Sequence, residues 1–303
     1  MESRRGHHYF QSARTFAHTL NQLAPWFQAS PIARSGLLEK CTITVMGNSC
    51  LFCGANGAGV LSNEHVIPQW LLEHLDLPAD DLLFQGVASS ATEMLVQPPR
   101  IHSSFNFVQG HVCGDCNTGW MSQLEGVAKP VLVPLIENER TIESLSPAEA
   151  DLVGKWVVKT AYMHSWTSPL KLAVQLEHLK ALCGDGGKPS PGVGVFGMQS
   201  DFKQPSAYFQ RGHWPQFFKP ELKVPDEPPA KAYKIGLQFR HLYLLTAFWP
   251  DPKCAVTLLK DLHIPIFPTG QDPLPEYSRD LPIGDGLIDQ LAEFCKWLAV
   301  AHL

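Results

Sequence analysis

Two pairs of cysteines in this chain, Cys50/Cys53 and Cys113/Cys116, share the Cys-x-x-Cys spacing that lets two sulfurs turn toward one ion. Together they supply four thiolates, a complete tetrahedral set for Zn²⁺ at about 2.3 Å per Zn–S bond. A complete set leaves no open coordination position, so the ion would be structural. The 59 residues between the pairs exceed the about 15–20 of a compact zinc ribbon. Something is therefore inserted between the two knuckles. The plainer alternative is two unrelated thiol pairs, and a thiol redox pair at Cys50-Leu51-Phe52-Cys53 would need a βαβ context that the pattern does not offer. The other four cysteines, Cys41, Cys183, Cys254 and Cys295, stand alone and read as small buried apolar side chains.

Two further features attach to the knuckles. Eleven residues past Cys53 begins Glu64-His65-Val66-Ile67-Pro68, and directly after Cys116 comes Asn117. Taken singly, His65 is an ordinary loop histidine, Glu64 a solvated carboxylate and Asn117 a helix N-cap. Taken in order, Cys50-Leu51-Phe52-Cys53, Glu64-His65-Val66-Ile67-Pro68 and Cys113-Gly114-Asp115-Cys116-Asn117 resemble the HNH endonuclease family, over about residues 50–125. The resemblance implies a ββα-metal module, a hairpin plus helix, with a structural zinc held by Cys50, Cys53, Cys113 and Cys116. It implies that His65 is the general base, a task suited to a side chain that titrates near neutral pH. Glu64 and Asn117 would hold one catalytic cation, Mg²⁺ or Mn²⁺, an oxygen-preferring ion that keeps several waters. Products with 5′-phosphate and 3′-hydroxyl ends would follow.

The match departs from the family pattern in places. The family's middle Asn lies a few residues before the second knuckle, whereas here Asn106 is seven before Cys113 and His111 two before it. Asp115 is a candidate third metal ligand or a plain knuckle-loop carboxylate. Glu125, eight past Asn117 and about 80° around an ideal helix, reads as a supporting or surface residue. Trp120 and Met121 read as core.

The elements that must position these groups follow from periodicity. Ser12 to Leu23 has the apolar spacing of a short helix. Gly54 to Gly59 reads as a turn, Val60-Leu61 and Val66-Ile67 as strand pieces, Gln69 to Leu75 as one or two helical turns, and Leu77 to Ser104 as irregular, with Pro98-Pro99 as a stop. Asn117 to Ala128 is helical through Trp120, Met121, Leu124 and Val127. Ser146-Pro147-Ala148-Glu149 is a capping box with Pro at the first helical position. Behind it Leu152, Val153, Trp156, Val157, Thr160, Ala161 and His164 recur at helical spacing. Val193–Met198 and Tyr233–Trp249 read as strands, the latter turning near Arg240-His241, and Leu287–Val300 as a closing amphipathic helix.

The expected class is α+β: a zinc-stapled ββα-metal module followed by a mixed α/β C-terminal domain. The expected segments are an N-terminal helical extension over residues 1–40, the nuclease module over 41–130, and over 145–303 a domain for recognition or oligomerisation, or for a regulatory partner. Of 303 residues 45% are hydrophobic and 17% charged, the balance of a globular chain. No run reaches the ~18 apolar residues of a membrane span, and Met1–His8 leads into no apolar signal region, so a cytoplasmic, membrane-free protein is expected.

Net charge is −5, with −6 concentrated in residues 41–130, which speaks against a generic nucleic-acid binder. Phosphates would need help from elsewhere. Lys203–Arg240 offers seven Lys/Arg against three acids, interleaved with Tyr208, Phe209, Trp214, Phe217, Phe218 and Tyr233, a composition suited to backbone contact and base stacking. Arg4, Arg5 and Arg14 form a weaker basic group. The expected partner is nucleic acid, DNA in the first instance, and the expected activity phosphodiester hydrolysis with a role in restriction or phage defence. The competing expectation is a non-catalytic zinc-knuckle module that binds nucleic acid or protein.

Overall fold

A computed structural model describes residues 48–57, 59–76, 108–167, 174–184, 187–200, 232–250 and 262–269, together with the backbone of several further strands. The protein is a mixed α/β structure. Residues 46–83 and 101–303 form one compact unit, and residues 1–45 with 84–100 another. Within the second of these the described part is a hairpin of β3 (Val87–Ser89) and β4 (Met94–Val96). The expected helix at Ser12–Leu23 lies outside the described residues.

In the larger unit, strand β1 (Leu61–His65) pairs antiparallel with β6 (Val108–Cys113), Leu61 opposite Cys113 and His65 opposite Val108. Val66 and Ile67, read as strand from their side chains, instead form a buried bend ahead of Pro68. Helix α1 (Gln69–His74) follows, as its spacing indicates. The stretch expected to be irregular holds four short strands, β2 (Leu82–Phe84), β3, β4 and β5 (Arg100–His102), with β2 paired to β5. Three-residue strands are too short to set up a readable period.

After Cys113 comes a single helical turn, Gly114–Cys116, then a π-turn, Asn117–Met121, then helix α2 (Ser122–Ile136). The helix does not end near Ala128: it runs on through Pro130 and Pro134. Four residues apart, the two prolines share one face, while Ala128, Leu132, Leu135 and Ile136 are fully buried. Burial of that face keeps the helix going although two backbone donors are missing.

Helix α3 (Pro147–Thr167) begins as a capping box should: the Glu149 N–H donates to Ser146 Oγ at 3.3 Å, and the Ser146 N–H donates to Glu149 Oε2 at 2.9 Å. It packs against α2, α4 (Leu176–Gly184), β6, and a five-stranded sheet ordered β13 (Ile264–Phe267), β7 (Val193–Gln199), β11 (Leu242–Phe248), β10 (Tyr233–Phe239), β8 (Ala207–Gly212). The whole of β10 and β11 is buried, which explains the nearly unbroken apolar run of β11, whereas β10 alternates and buries Lys234 and Gln238 between its apolar residues. Their turn sits at Arg240-His241, with Arg240 at φ +48°. Gly154 lets α3 approach β13, since a Cβ there would overlap Phe267. A second sheet orders β14 (Glu276–Tyr277), β12 (Cys254–Leu259), β15 (Ala299–His302) and β9 (Gln216–Phe217). Ala299 and Val300, expected to close a helix, belong to β15 and pair with Thr257 and Val256; residues 287–298 lie outside the described set. Among the described residues no helix is long and apolar enough to cross a membrane.

Candidate metal centre

The first knuckle is a tight turn. Cys50 N–H donates to the Ala55 carbonyl at 2.8 Å, Gly54 N–H to the Cys50 carbonyl at 3.0 Å, and Gly54 takes φ +77°, which suits a residue without a Cβ. The second knuckle ends β6 and opens the helical segment, with the Cys116 N–H donating to Cys113 Sγ at 3.4 Å. Two bonds fasten knuckle to knuckle: Cys113 N–H to Cys50 Sγ at 3.3 Å, and Leu51 N–H to the His111 carbonyl at 2.9 Å. As a result Sγ of Cys50, Cys53, Cys113 and Cys116 all lie within 4.8 Å of one another. A Zn²⁺ tetrahedron with bonds of about 2.3 Å has edges of about 3.8 Å, so these four cysteines could hold a zinc ion. Three of them are buried and Cys53 is exposed.

The thiols also respond electrostatically as a set. Burial pushes the Cys50 thiol up, but N–H groups of Cys53, Cys113 and Phe52 outweigh it and bring the thiol down from 9.0 to about 7. Burial, joined by neighbouring sulfurs, raises Cys113 and Cys116. Thiolates so crowded disfavour one another, and a cation among them removes that conflict. A fifth sulfur stands near: Cys183 Sγ, on α4, is 4.0 Å from Cys116 Sγ. Its sequence surroundings mark it as an isolated cysteine, and a separation of 67 positions hides the proximity.

The β1–β6 ladder places Glu64 and His65 on the strand whose other end, Leu61, faces Cys113. A bulge between Ser62 and Glu64 shifts the register opposite Val112 and Gln109, the local device that re-aims side chains along an edge. Glu64 points inward and is 8% exposed. There it meets Lys159 of α3, whose Nζ lies 2.9 Å from Glu64 Oε1 and 2.6 Å from Glu125 Oε1. Lys159 is 0% exposed, so its ammonium is dry and paired on two sides. Burial raises the Glu125 carboxyl, and the Lys159 charge works against that rise. Glu125, expected at the surface or in support, is thus a direct partner of the same ammonium as Glu64.

His65 is half-buried at the end of β1. Its ring makes no hydrogen bond among the described residues. Asn117 is tied to the same strand, its Nδ2 donating to Ser62 Oγ at 3.2 Å, and no described residue takes its Oδ1. Glu64, Glu125 and Asn117 each keep one oxygen free of described partners, and oxygen is the donor type that Mg²⁺ and Mn²⁺ prefer. Among the described residues the four cysteines are the one group of three or more His, Cys, Asp or Glu ligand atoms close enough to share an ion. Asp115 is exposed. His111 serves the ladder through its backbone, and its Nδ1 is buried without a partner among the described residues. Asn106 lies outside them. Trp120 packs edge-on against Phe52 at 5.5 Å between centroids, and Met121 is fully buried, as core residues should be.

Of the basic, aromatic stretch at 203–240, Tyr233 is wholly buried, Lys234 is buried, and Arg240 pairs with Glu137 and donates to the His74 carbonyl at 3.1 Å. Those three are engaged inside the fold, so whatever the stretch offers to phosphate comes from its other members. Lys159, which sequence reasoning passed over, had one readable signal: a lysine beside the apolar stripe of α3, three residues after Trp156. No family model, curated protein or solved structure matches the chain.

Proposed function

We propose that this protein is a metal-dependent endonuclease of the HNH kind, hydrolysing phosphodiester bonds of nucleic acid, with DNA the first substrate to test. One observation carries the reading: a single antiparallel ladder, β1–β6, leads at one end into four clustered thiols and at the other into Glu64-His65, with a helix following. A two-stranded antiparallel ladder, stapled at one end and carrying a carboxylate–histidine pair at the other, is the part of a zinc-stapled ββα-metal module that this arrangement supports, although α1 and β2–β5 are inserted between its strands. Cys50, Cys53, Cys113 and Cys116 hold the structural zinc in this reading.

At the reacting phosphate, His65 Nδ1 or Nε2 takes the proton of the attacking water, a role open to a ring without other hydrogen bonds. Glu64, through the oxygen that Lys159 leaves free, and Asn117, through Oδ1, would hold the catalytic Mg²⁺ or Mn²⁺. When bound, such a cation would supply charge stabilisation to the reacting phosphate and to the departing 3′ oxygen. The chain's own part is to fix these donors on a strand and a helix rather than on loops.

The test is nicking of supercoiled plasmid by wild type beside His65→Ala, with Mg²⁺ or Mn²⁺ against EDTA. Metal-dependent cutting that the variant loses supports the reading; equal cutting by both defeats His65 as the base. A second reading draws on a specific observation, the buried ammonium already neutralising Glu64. It takes the chain as a non-catalytic zinc-knuckle binding module, and predicts binding with no cleavage of DNA or RNA in any divalent metal.

A further inference from the structure

Lys159 belongs to α3, behind the hairpin in sequence by 95 residues from Glu64, yet its ammonium touches both carboxylates of the candidate centre. Three facts bear on its role. It is more deeply buried than either acid: 0% exposed, against side-chain values of 10% for Glu64 and 17% for Glu125. The ammonium is therefore the least solvated member of the three. Each acid gives the ammonium only Oε1, leaving its second oxygen without a described partner. And no other described group competes for Lys159.

We infer, resting on the nuclease reading above, that Lys159 is a positioning residue of the catalytic centre: from below, it fixes the carboxylates of Glu64 and Glu125 side by side and cancels one of their two charges. With one net negative charge left, the pair attracts a divalent cation only weakly by itself. A substrate phosphate supplies the missing negative charge and an oxygen ligand, so cation and nucleic acid are taken up together. The acidic centre is in this way kept from holding a cation firmly between turnovers.

The experiment uses the full-length, zinc-loaded chain and reads Mn²⁺ binding by electron paramagnetic resonance without nucleic acid, beside cutting of plasmid against Mn²⁺ concentration. Lys159→Met leaves two carboxylates with no counter-charge, so free Mn²⁺ is expected to bind about tenfold tighter or better. The same variant is expected to lose about 10²-fold in kcat with KM for plasmid little changed, because Glu64 loses its anchor. Lys159→Arg, which keeps the charge, is expected to restore weak Mn²⁺ binding and part of the rate. Should Lys159→Met fail to fold, Glu125→Gln answers the question: it removes one charge and is expected to weaken Mn²⁺ binding and raise the Mn²⁺ needed for half-maximal cutting. A wild type that cuts while Mn²⁺ binding and Mn²⁺ requirement stay unchanged in these variants overturns the inference and leaves the nuclease reading standing. A wild type that neither cuts nucleic acid nor binds Mn²⁺ overturns both.

Discussion

Around Cys50–Cys53 and Cys113–Cys116 the backbone is held by short turns, positive-φ glycines and N–H···S bonds. In the β7–β11–β10 sheet, by contrast, two adjacent seven-residue strands are buried from end to end against α3. The first region is organised by ligand chemistry, with Leu51 and Phe52 between the ligands buried beside it. The second is organised by apolar area, which tolerates almost any order of side chains of suitable volume. A substitution in one region should therefore leave the signature of the other untouched, and the comparison can be broken or sharpened on that basis.

The largest effect is expected at the thiols. In structural zinc sites the apparent binding free energy, about 10–16 kcal/mol near neutral pH, is folding free energy. Cys113→Ser should lower zinc content, measured by elemental analysis, and solubility together. Next comes His65→Ala, expected to cost about 10²–10⁴-fold in turnover with zinc content and thermal midpoint unchanged; loss of zinc in that variant would mean that the two ends of the ladder are not separable. Trp156 is wholly buried, 6.2 Å from Trp70 of α1 and 5.9 Å from Phe239 of β10 between centroids, and so belongs to the apolar region. Trp156→Ala should cost about 3–5 kcal/mol in denaturant unfolding while zinc stoichiometry in the folded fraction stays at wild type. Ser146→Ala, which removes the α3 cap, should cost about 1 kcal/mol.

The smallest effect is one of pH. Glu149 is drawn down from 4.5 to about 2, first by the Arg140 guanidinium and then by the N–H and hydroxyl of Ser146. A carboxyl lowered in the folded state adds stability above pH 4.5 and loses it as pH falls toward 2. The pair is at the surface, so the contribution is small. Wild type should exceed Glu149→Gln slightly near pH 6, with the difference vanishing near pH 2 in acid unfolding curves.

The sequence shows where ligands sit, because ligand chemistry has a local spelling. The two knuckles, the turn at Gly54 and the cap at Ser146 were all readable, since each depends on residues within a few positions of one another. The long strands were readable too, β10 from its alternation and β11 from its apolar run. What escaped was whatever depends on residues far apart in the chain. Lys159 meets Glu64 across 95 residues, and Cys183 meets Cys116 across 67. The extension of α2 beyond Ala128 was hidden for a different reason: Pro130 and Pro134 argue locally against a helix that its buried face sustains.

The two ladders also differ in how far the chain must travel to close them. In the central sheet Phe239 pairs with Leu242 over a two-residue turn, whereas Leu61 pairs with Cys113 only after the intervening segment has looped back. Local pairing is fast, and closing the loop of some forty residues between His65 and Val108 carries an entropic cost before any contact rewards it. The β10–β11 hairpin is therefore expected to form early and the β1–β6 hairpin late. Lys159 is on the helix that packs against the early sheet, and so is in place before Glu64 arrives. In a refolding time course, native-like tryptophan burial at Trp156 should precede the appearance of nicking activity, and added zinc should shorten the interval by holding the late ladder closed.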